Sequence, residues 1–324
     1  MKQIHALPFL ILLFFGKIVL AQMPDTDIWL FDLSQKGDSF KLSNGINITN
    51  RPGYDNQPSF SPDNKSVYYT SYRDGQSDIY QYNIAAKTTK QFTATPESEY
   101  SPAVTPDGKF VSVVRVEKDS TQRLWKFPLK GGPPVLVFKN IDSIGYYCWV
   151  NKNELTLFLL GNPEKLVTAF AADDSKKKSG LITMKGGRSL HTDYFVSKTD
   201  SSKWIITANF GSTDPTDPNP KTRDTPIIET IKGKEDFAMT SHITLIRKDT
   251  PLNNPDSHVV YEYDYFMGNG PLLYKYTITN ANLIQPAGAD QWKLVTDLSS
   301  FGIKNIGRIA ISSDGKKIAI VSNP

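Results

Sequence analysis

Alternation of apolar and polar positions runs through most of the chain and is clearest over residues 57–82, QPSFSPDNKSVYYTSYRDGQSDIYQY. Residues 58–61 alternate and run into the turn Ser61-Pro62-Asp63-Asn64. Residues 67–72 are β-branched and aromatic, and the turn Arg73-Asp74-Gly75-Gln76 leads into residues 78–84. The pattern predicts three antiparallel strands, and residues 90–93 supply a fourth. A meander of this kind cannot bury both of its faces alone, so it requires copies packed beside it.

The copies follow in order. Ser98-Glu99-Tyr100-Ser101-Pro102 leads into the turn around Asp107, then into apolar runs at 110–116, 123–127 and 135–138. Asp63 and Asp107 hold the same turn position 44 residues apart, the period of a four-stranded propeller blade. A third copy keeps the pattern without the signature: strands are expected at 145–150, 155–160, 166–170 and 181–184. In the fourth, strands at 189–197, 204–209 and 227–231 surround a Pro/Asp/Thr-rich excursion over 211–225, expected to be a surface loop. The fifth is expected to begin with inner strands at 235–239 and 243–247. Its aromatic segment at 259–267 is read as an insertion, either an extra hairpin on the blade or a partner-binding flap, before outer strands at 272–278 and 292–298.

The ends of the chain complement each other. The last copy has two inner strands, at 306–311 and 317–322, and then stops. Residues 27–33 and 40–48 are two strands without inner partners. Joining them closes a ring, which protects exposed sheet edges. The expected fold is therefore all-β: a six-bladed β-propeller of four-stranded blades, the ring closed by N-terminal strands that complete the last blade. The blades span about 54–95, 98–139, 142–185, 187–232, 235–299 and 305–324 plus 26–49, a single domain from residue 22 to 324.

Ahead of the repeats, Lys2 precedes an apolar run over 6–15, and Val19 and Ala21 suit signal-peptidase cleavage after Ala21. Lys17 interrupts the run, which is short for a membrane span. A signal peptide over 1–21 and a periplasmic or secreted mature chain, with no transmembrane span once the leader is removed, are expected. Cleavage would take Lys2 and Lys17 from the 37 basic residues, leaving 35 against 33 acidic ones. That balance gives no general attraction to nucleic acid. Cys148, the one cysteine, lies in an apolar strand and excludes an internal disulfide and any cysteine-cluster metal site. It is expected to be a buried structural thiol.

Catalytic signatures are missing from the sequence. The histidines beyond the leader, His191, His242 and His258, lack metal-ligand spacing, and no H-E-x-x-H, G-x-S-x-G, phosphate-loop or dinucleotide motif occurs. Asp214, Asp217 and Asp224 do not make a calcium loop, because Pro215, Pro218 and Pro220 interrupt them and the loop glycine and terminal Glu are lacking. Lys176, Lys177 and Lys178 read as a solvated hairpin. The repeated Asp residues read as turn formers, since Pro and Asp start a tight turn and the Asp side chain bonds nearby amides.

The segments Pro58-Ser59-Phe60-Ser61-Pro62-Asp63, Ser101-Pro102-Ala103-Val104-Thr105-Pro106-Asp107-Gly108, Asp74-Gly75-Gln76-Ser77-Asp78-Ile79-Tyr80 and Ile311-Ser312-Ser313-Asp314-Gly315-Lys316 resemble the WD-like repeat of TolB-type six-bladed propellers. The resemblance is specific in blades one, two and six, and is one of pattern in three to five. It implies a periplasmic or secreted binding module. The propellers of prolyl-oligopeptidase-type peptidases are also similar, but this chain has no room for their hydrolase domain.

In a propeller the segments entering the innermost strands converge on the central channel. Here they carry Asp55, Asn56, Gln57, Glu99, Tyr100, Tyr146, Arg188, Glu235, Asp236 and Arg308, the candidate ligand-binding set at the channel mouth. Such a ring suits a polar ligand, a peptide terminus or a cation, or its members pair with one another and with water. The leading expectation is a monomeric, non-catalytic propeller that binds or scaffolds a protein or peptide partner, without a cofactor. The alternative is a propeller enzyme, a metal-dependent lactonase or a sugar lyase or hydrolase, with Asp55, Asn56, Glu99, Glu235 and Asp236 around a calcium-type ion.

Overall fold

A computed structural model describes residues 23–171, 180–183, 190–193, 204–210, 226–232, 244–249, 261–279 and 292–323. Strands β1 (Asp27–Lys36) and β2 (Ser39–Asn47) come first. Then β3 (Asp55–Phe60), β4 (Ser66–Arg73), β5 (Gln76–Asn83) and β6 (Thr88–Gln91) form one antiparallel sheet. The next sheets are β7 (Ser98–Val104), β8 (Phe110–Val116), β9 (Gln122–Pro128) and β10 (Val135–Leu136), then β11 (Ile144–Trp149), β12 (Glu154–Leu159), β13 (Lys165–Phe170) and β14 (Gly180–Thr183). The fourth holds three strands among the described residues, β15 (Leu190–Asp193), β16 (Trp204–Phe210) and β17 (Pro226–Lys232). The fifth holds β18 (Thr244–Asp249), β19 (Tyr261–Asn269), β20 (Leu272–Thr279) and β21 (Lys293–Asp297). These are the blades of a six-bladed β-propeller.

The last blade has the order β2-β1-β23-β22, with β22 at Asn305–Ile311 and β23 at Lys317–Asn323. Its register runs from Asp27 opposite Ser322 to Asp32 opposite Lys317. The ring therefore closes as the complementary chain ends imply. Closure pairs β1 with β2 and β23, and β23 with β1 and β22, so neither of these two terminal strands is left as an unpaired edge.

The aromatic segment of the fifth blade is not an insertion. β19 pairs with β18 on one side and β20 on the other, so it is the blade's second strand, and Leu272–Thr279 becomes the third. The segment Tyr261–Asn269 is therefore a central strand, its backbone hydrogen bonds met on both edges by β18 and β20. The inner strand begins at Thr244, and the expected strand at 235–239 lies outside the described residues. So do the leader, the excursion at 211–225 and the lysine run at 176–178.

The cores lie between blades. Second strands are flanked by a neighbouring blade on each face, so they read as near-continuous apolar runs, and β4, β8, β12 and β23 are buried along most of their length. Tyr68, Ile79, Val111, Val113 and Phe127 fill the seam between the first and second blades. Val114, Leu124, Phe138, Leu155 and Leu157 fill the next. Cys148, on β11 between Tyr147 and Trp149, is half-buried rather than fully enclosed.

Three turns repeat one hydrogen-bond pattern. Ser61 Oγ donates to Asp63, Thr105 Oγ1 to Asp107 and Ser312 Oγ to Asp314, each at 2.6 Å, and each Asp accepts the amide two residues on. These bonds hold all three carboxyls below the usual carboxylate range. In the third blade Asn151 accepts the amides of Asn153 and Glu154, so an amide replaces the carboxylate there. The repeated Asp residues are turn formers.

Candidate functional site

Register decides which inner-strand residues meet. Asn56, Tyr100, Tyr146 and Arg308 lie opposite Thr70, Val114, Phe158 and Val321. Each of those partners follows its blade's turn residue, Asp63, Asp107, Asn151 or Asp314, by the same interval, so the four form one layer of the inner strands. All four are half-buried. Arg308 Nη2 donates to the Tyr146 hydroxyl at 3.3 Å, and the guanidinium carbon sits 5.4 Å from the Tyr146 ring centroid. Tyr146 is in the third blade and Arg308 in the sixth, three blades apart in a ring of six, so the pair reaches across the axis.

Tyr54, one residue ahead of β3, joins them. Burial pushes its phenol up to about 12, opposed by the charge of Arg308 and reinforced by Tyr146 and Tyr100, all within electrostatic reach. It was missed because the strand was expected to start at residue 58. The strand begins at Asp55 and is preceded by a parallel bridge between Thr26 and Tyr54. The only signal in the sequence was the position of Tyr54 directly beside the expected Asp55-Asn56-Gln57 set.

The carboxylates one residue ahead in each strand turn the other way, because successive strand residues alternate sides. Asp55 is fully buried and paired with Arg51 at 2.9 Å, while Arg51 also donates to the Tyr72 carbonyl. Burial raises the Asp55 carboxyl, with Ser71 and Arg51 pulling it back. Glu99 is also fully buried, in the seam between the first two blades. Thr95 donates to its Oε1, and Arg115 Nε stands 3.6 Å from the same oxygen, too far for a hydrogen bond. Arg115 instead bonds Glu97 and packs over the Trp125 ring.

Glu99 faces Asp78. Burial and the Asp78 carboxyl push it up to about 8, against the pull of Thr95. Asp78 accepts amide donors from Gln76 and Gln91, each at 3.1 Å. Glu99 Oε2 is enclosed and no donor reaches it. A proton carried by Glu99 and donated to Asp78 satisfies both groups, since two carboxylates at hydrogen-bond distance cannot both ionise.

Gln57 has a structural task. Its Oε1 accepts the Ser101 amide and the Thr70 hydroxyl, each at 2.7 Å, stitching the first blade to the second. Tyr147 continues the stitching, donating to the Ser101 carbonyl at 2.9 Å. Gln57 and Ser101 both have φ near +55°, at bulges between Asn56 and Ser59 and between Tyr100 and Ala103.

The ten expected residues therefore separate. Asn56, Tyr100, Tyr146 and Arg308 share a layer; Gln57 stitches blades; Asp55 and Glu99 are engaged in seams. Arg188, Glu235 and Asp236 lie outside the described residues. Among the described residues no group of three His, Cys, Asp or Glu stands together as a metal-ligand set. Nor is any helix long and apolar enough to cross a membrane.

A closed ring of sheets with its polar layer on the axis defines the class as a β-propeller. Residues 17–137 match the family model of the TolB beta propeller domain. A protein described as a TolB of Agrobacterium tumefaciens has a similar structure, with a TM-score of 0.54 at 13% identity over 92% of this chain and 98% of that one. The family likeness covers residues 17–137, and the structural likeness extends the propeller fold over 92% of the chain. Looser likenesses are TolB from Acinetobacter baumannii (TM-score 0.45, 14% identity, 62% of this chain and 48% of that one) and oligogalacturonate lyase from Vibrio parahaemolyticus (0.42, 15%, 90% and 77%). No curated protein matches the sequence.

Proposed function

We propose that this propeller is an exported, non-catalytic binding module that engages a protein or peptide partner in the cell envelope or secreted fraction. The observation that carries the reading is the axial layer of Tyr100, Tyr146 and Arg308 with Tyr54 beside it. Tyr and Arg combine large contact area with polar tips, and they dominate the energetics of protein recognition surfaces. The apolar leader ending at Ala21 supports export. The enzyme alternative needs carboxylates free to hold a cation, and the engagement of Asp55 by Arg51 and of Glu99 by Asp78 weighs against it.

The test is affinity capture of envelope proteins by the chain from Gln22, compared with Tyr100→Ala/Arg308→Gln and with a deletion of 211–225. Loss of a specific partner in the folded double variant supports binding at the channel. Retention there with loss in the deletion moves binding to the loops. A chain that captures nothing specific overturns the reading.

A further inference from the structure

We infer that the axial layer is a carboxylate site that receives the free C-terminus of a peptide, end-on; the inference rests on the reading of the channel as the binding region. The layer presents hydrogen-bond donors. Asn56 Oδ1 accepts the Gln57 amide at 2.7 Å, which occupies its acceptor and leaves the side-chain NH2 to donate. Tyr146 accepts from Arg308, so its own hydroxyl proton points elsewhere. Tyr54 keeps its phenol proton far above neutral pH and is a donor under all ordinary conditions. Arg308 supplies the positive charge and, among the described residues, spends one N–H on the 3.3 Å bond to Tyr146.

Among the described residues, the carboxylates next to the layer do not neutralise this charge. Asp55 is held by Arg51, and Glu99 faces Asp78 in the seam. Converging donors with a fixed positive charge select an anion and disfavour a cation.

The geometry narrows the anion to a terminal group. The Arg308–Tyr146 bond crosses the axis, so an extended chain cannot run past this layer without displacing it, whereas a chain end can replace Tyr146 as the arginine's partner. At 3.3 Å that bond lies at the long limit for N–H···O, and a carboxylate would take its place at about 2.7–2.9 Å, bidentate on the planar guanidinium. The flanking tyrosine rings offer apolar faces to the peptide behind the carboxylate, a surface that suits a peptide end better than a bare phosphate.

The experiment titrates the chain from Gln22 with N-acetyl-trialanine bearing a free carboxylate, its C-terminal amide, acetate and inorganic phosphate. Binding is read calorimetrically and folding is checked by thermal melting. The free acid is expected to bind about 10-fold more tightly than the amide. Arg308→Gln is expected to erase the difference, and Arg308→Lys to keep part of it. Equal binding of acid and amide, both lost in Tyr100→Ala, overturns the carboxylate site while leaving peptide binding in the channel intact. Binding of neither peptide at millimolar concentration overturns both. A preference for phosphate over the acid, or an acid preference that survives Arg308→Gln in a folded variant, also overturns the inference.

Discussion

Ile28 in the first strand and Val321 in the last lie directly opposite one another, and both are fully buried. They belong to the apolar cluster between the last blade and the first, with Leu30, Val67 and Tyr69. The closing contact is therefore part of a core and not an edge ornament.

Ile28→Ala is accordingly expected to cost about 2–5 kcal/mol. Because β1 lies between β2 and β23 in the blade, paired on both edges, the loss should appear in the global unfolding transition and not as fraying of the N-terminus. Denaturant unfolding followed by circular dichroism and by tryptophan fluorescence should shift together. Separate transitions would show that closure is energetically isolated.

Gly268 tests the opposite error, overpacking. A Cβ at this position would meet Ile306 Cβ at 2.3 Å across the seam between the fifth and sixth blades. Gly268→Ala is expected to destabilise by about 1–3 kcal/mol, and Ile306→Gly in the same chain, which removes both the Cβ and the Cγ2 that the new methyl would meet, should cost less than the sum of the two single changes. Thermal melting of the two single variants and the double variant decides it.

Glu99 predicts a pH dependence. In the fold it keeps its proton up to about pH 8, whereas its ordinary value is 4.5. The folded state thus binds the extra proton between these values. Its contribution is complete below about pH 4.5 and is lost as pH rises toward 8, on the order of a few kcal/mol. Melting temperature should fall from pH 5.5 to pH 8.5. Glu99→Gln, which keeps an N–H donor toward Asp78, should flatten the profile and exceed the parent chain at the alkaline end. A flat profile in the parent chain would exclude a shared proton.

At the Asp107 turn the sign reverses. Its carboxyl is held below 3.8 by Thr105 and the Lys109 amide, so that contribution is present above its ordinary value and lost as pH falls through the depressed one. Asp107→Ala removes both bonds and is expected to cost about 1 kcal/mol at pH 7. Asp107→Asn, which keeps an acceptor as Asn151 does in the third blade, should cost less; chemical denaturation at fixed pH measures both.

Much of the fold was legible because blades are local. The spacing of Asp63 and Asp107, the turn at Asp314 and the unmatched strands at the two ends specify blade, repeat and closure within short windows of sequence. The fifth blade was misread because periodicity cannot distinguish an aromatic central strand from an inserted hairpin when long connections separate the strands on either side. Pairing with both β18 and β20 made that distinction. The candidate site was legible only as a neighbourhood. Asp55 and Asn56, or Glu99 and Tyr100, are adjacent in sequence and opposite in direction, and a strand start misplaced by three residues hides which of them faces the axis.

The sequence by itself determined the blade, its turns and the ring, since these follow from period-two alternation and turn chemistry repeated every forty-odd residues. Tertiary structure alone decided that Arg308 meets Tyr146 while Glu99 meets Asp78. The first pair is 162 residues apart and joined only by closure of the ring. The second depends on how one blade's face settles on the next, where burial and not composition sets which carboxyl keeps its proton.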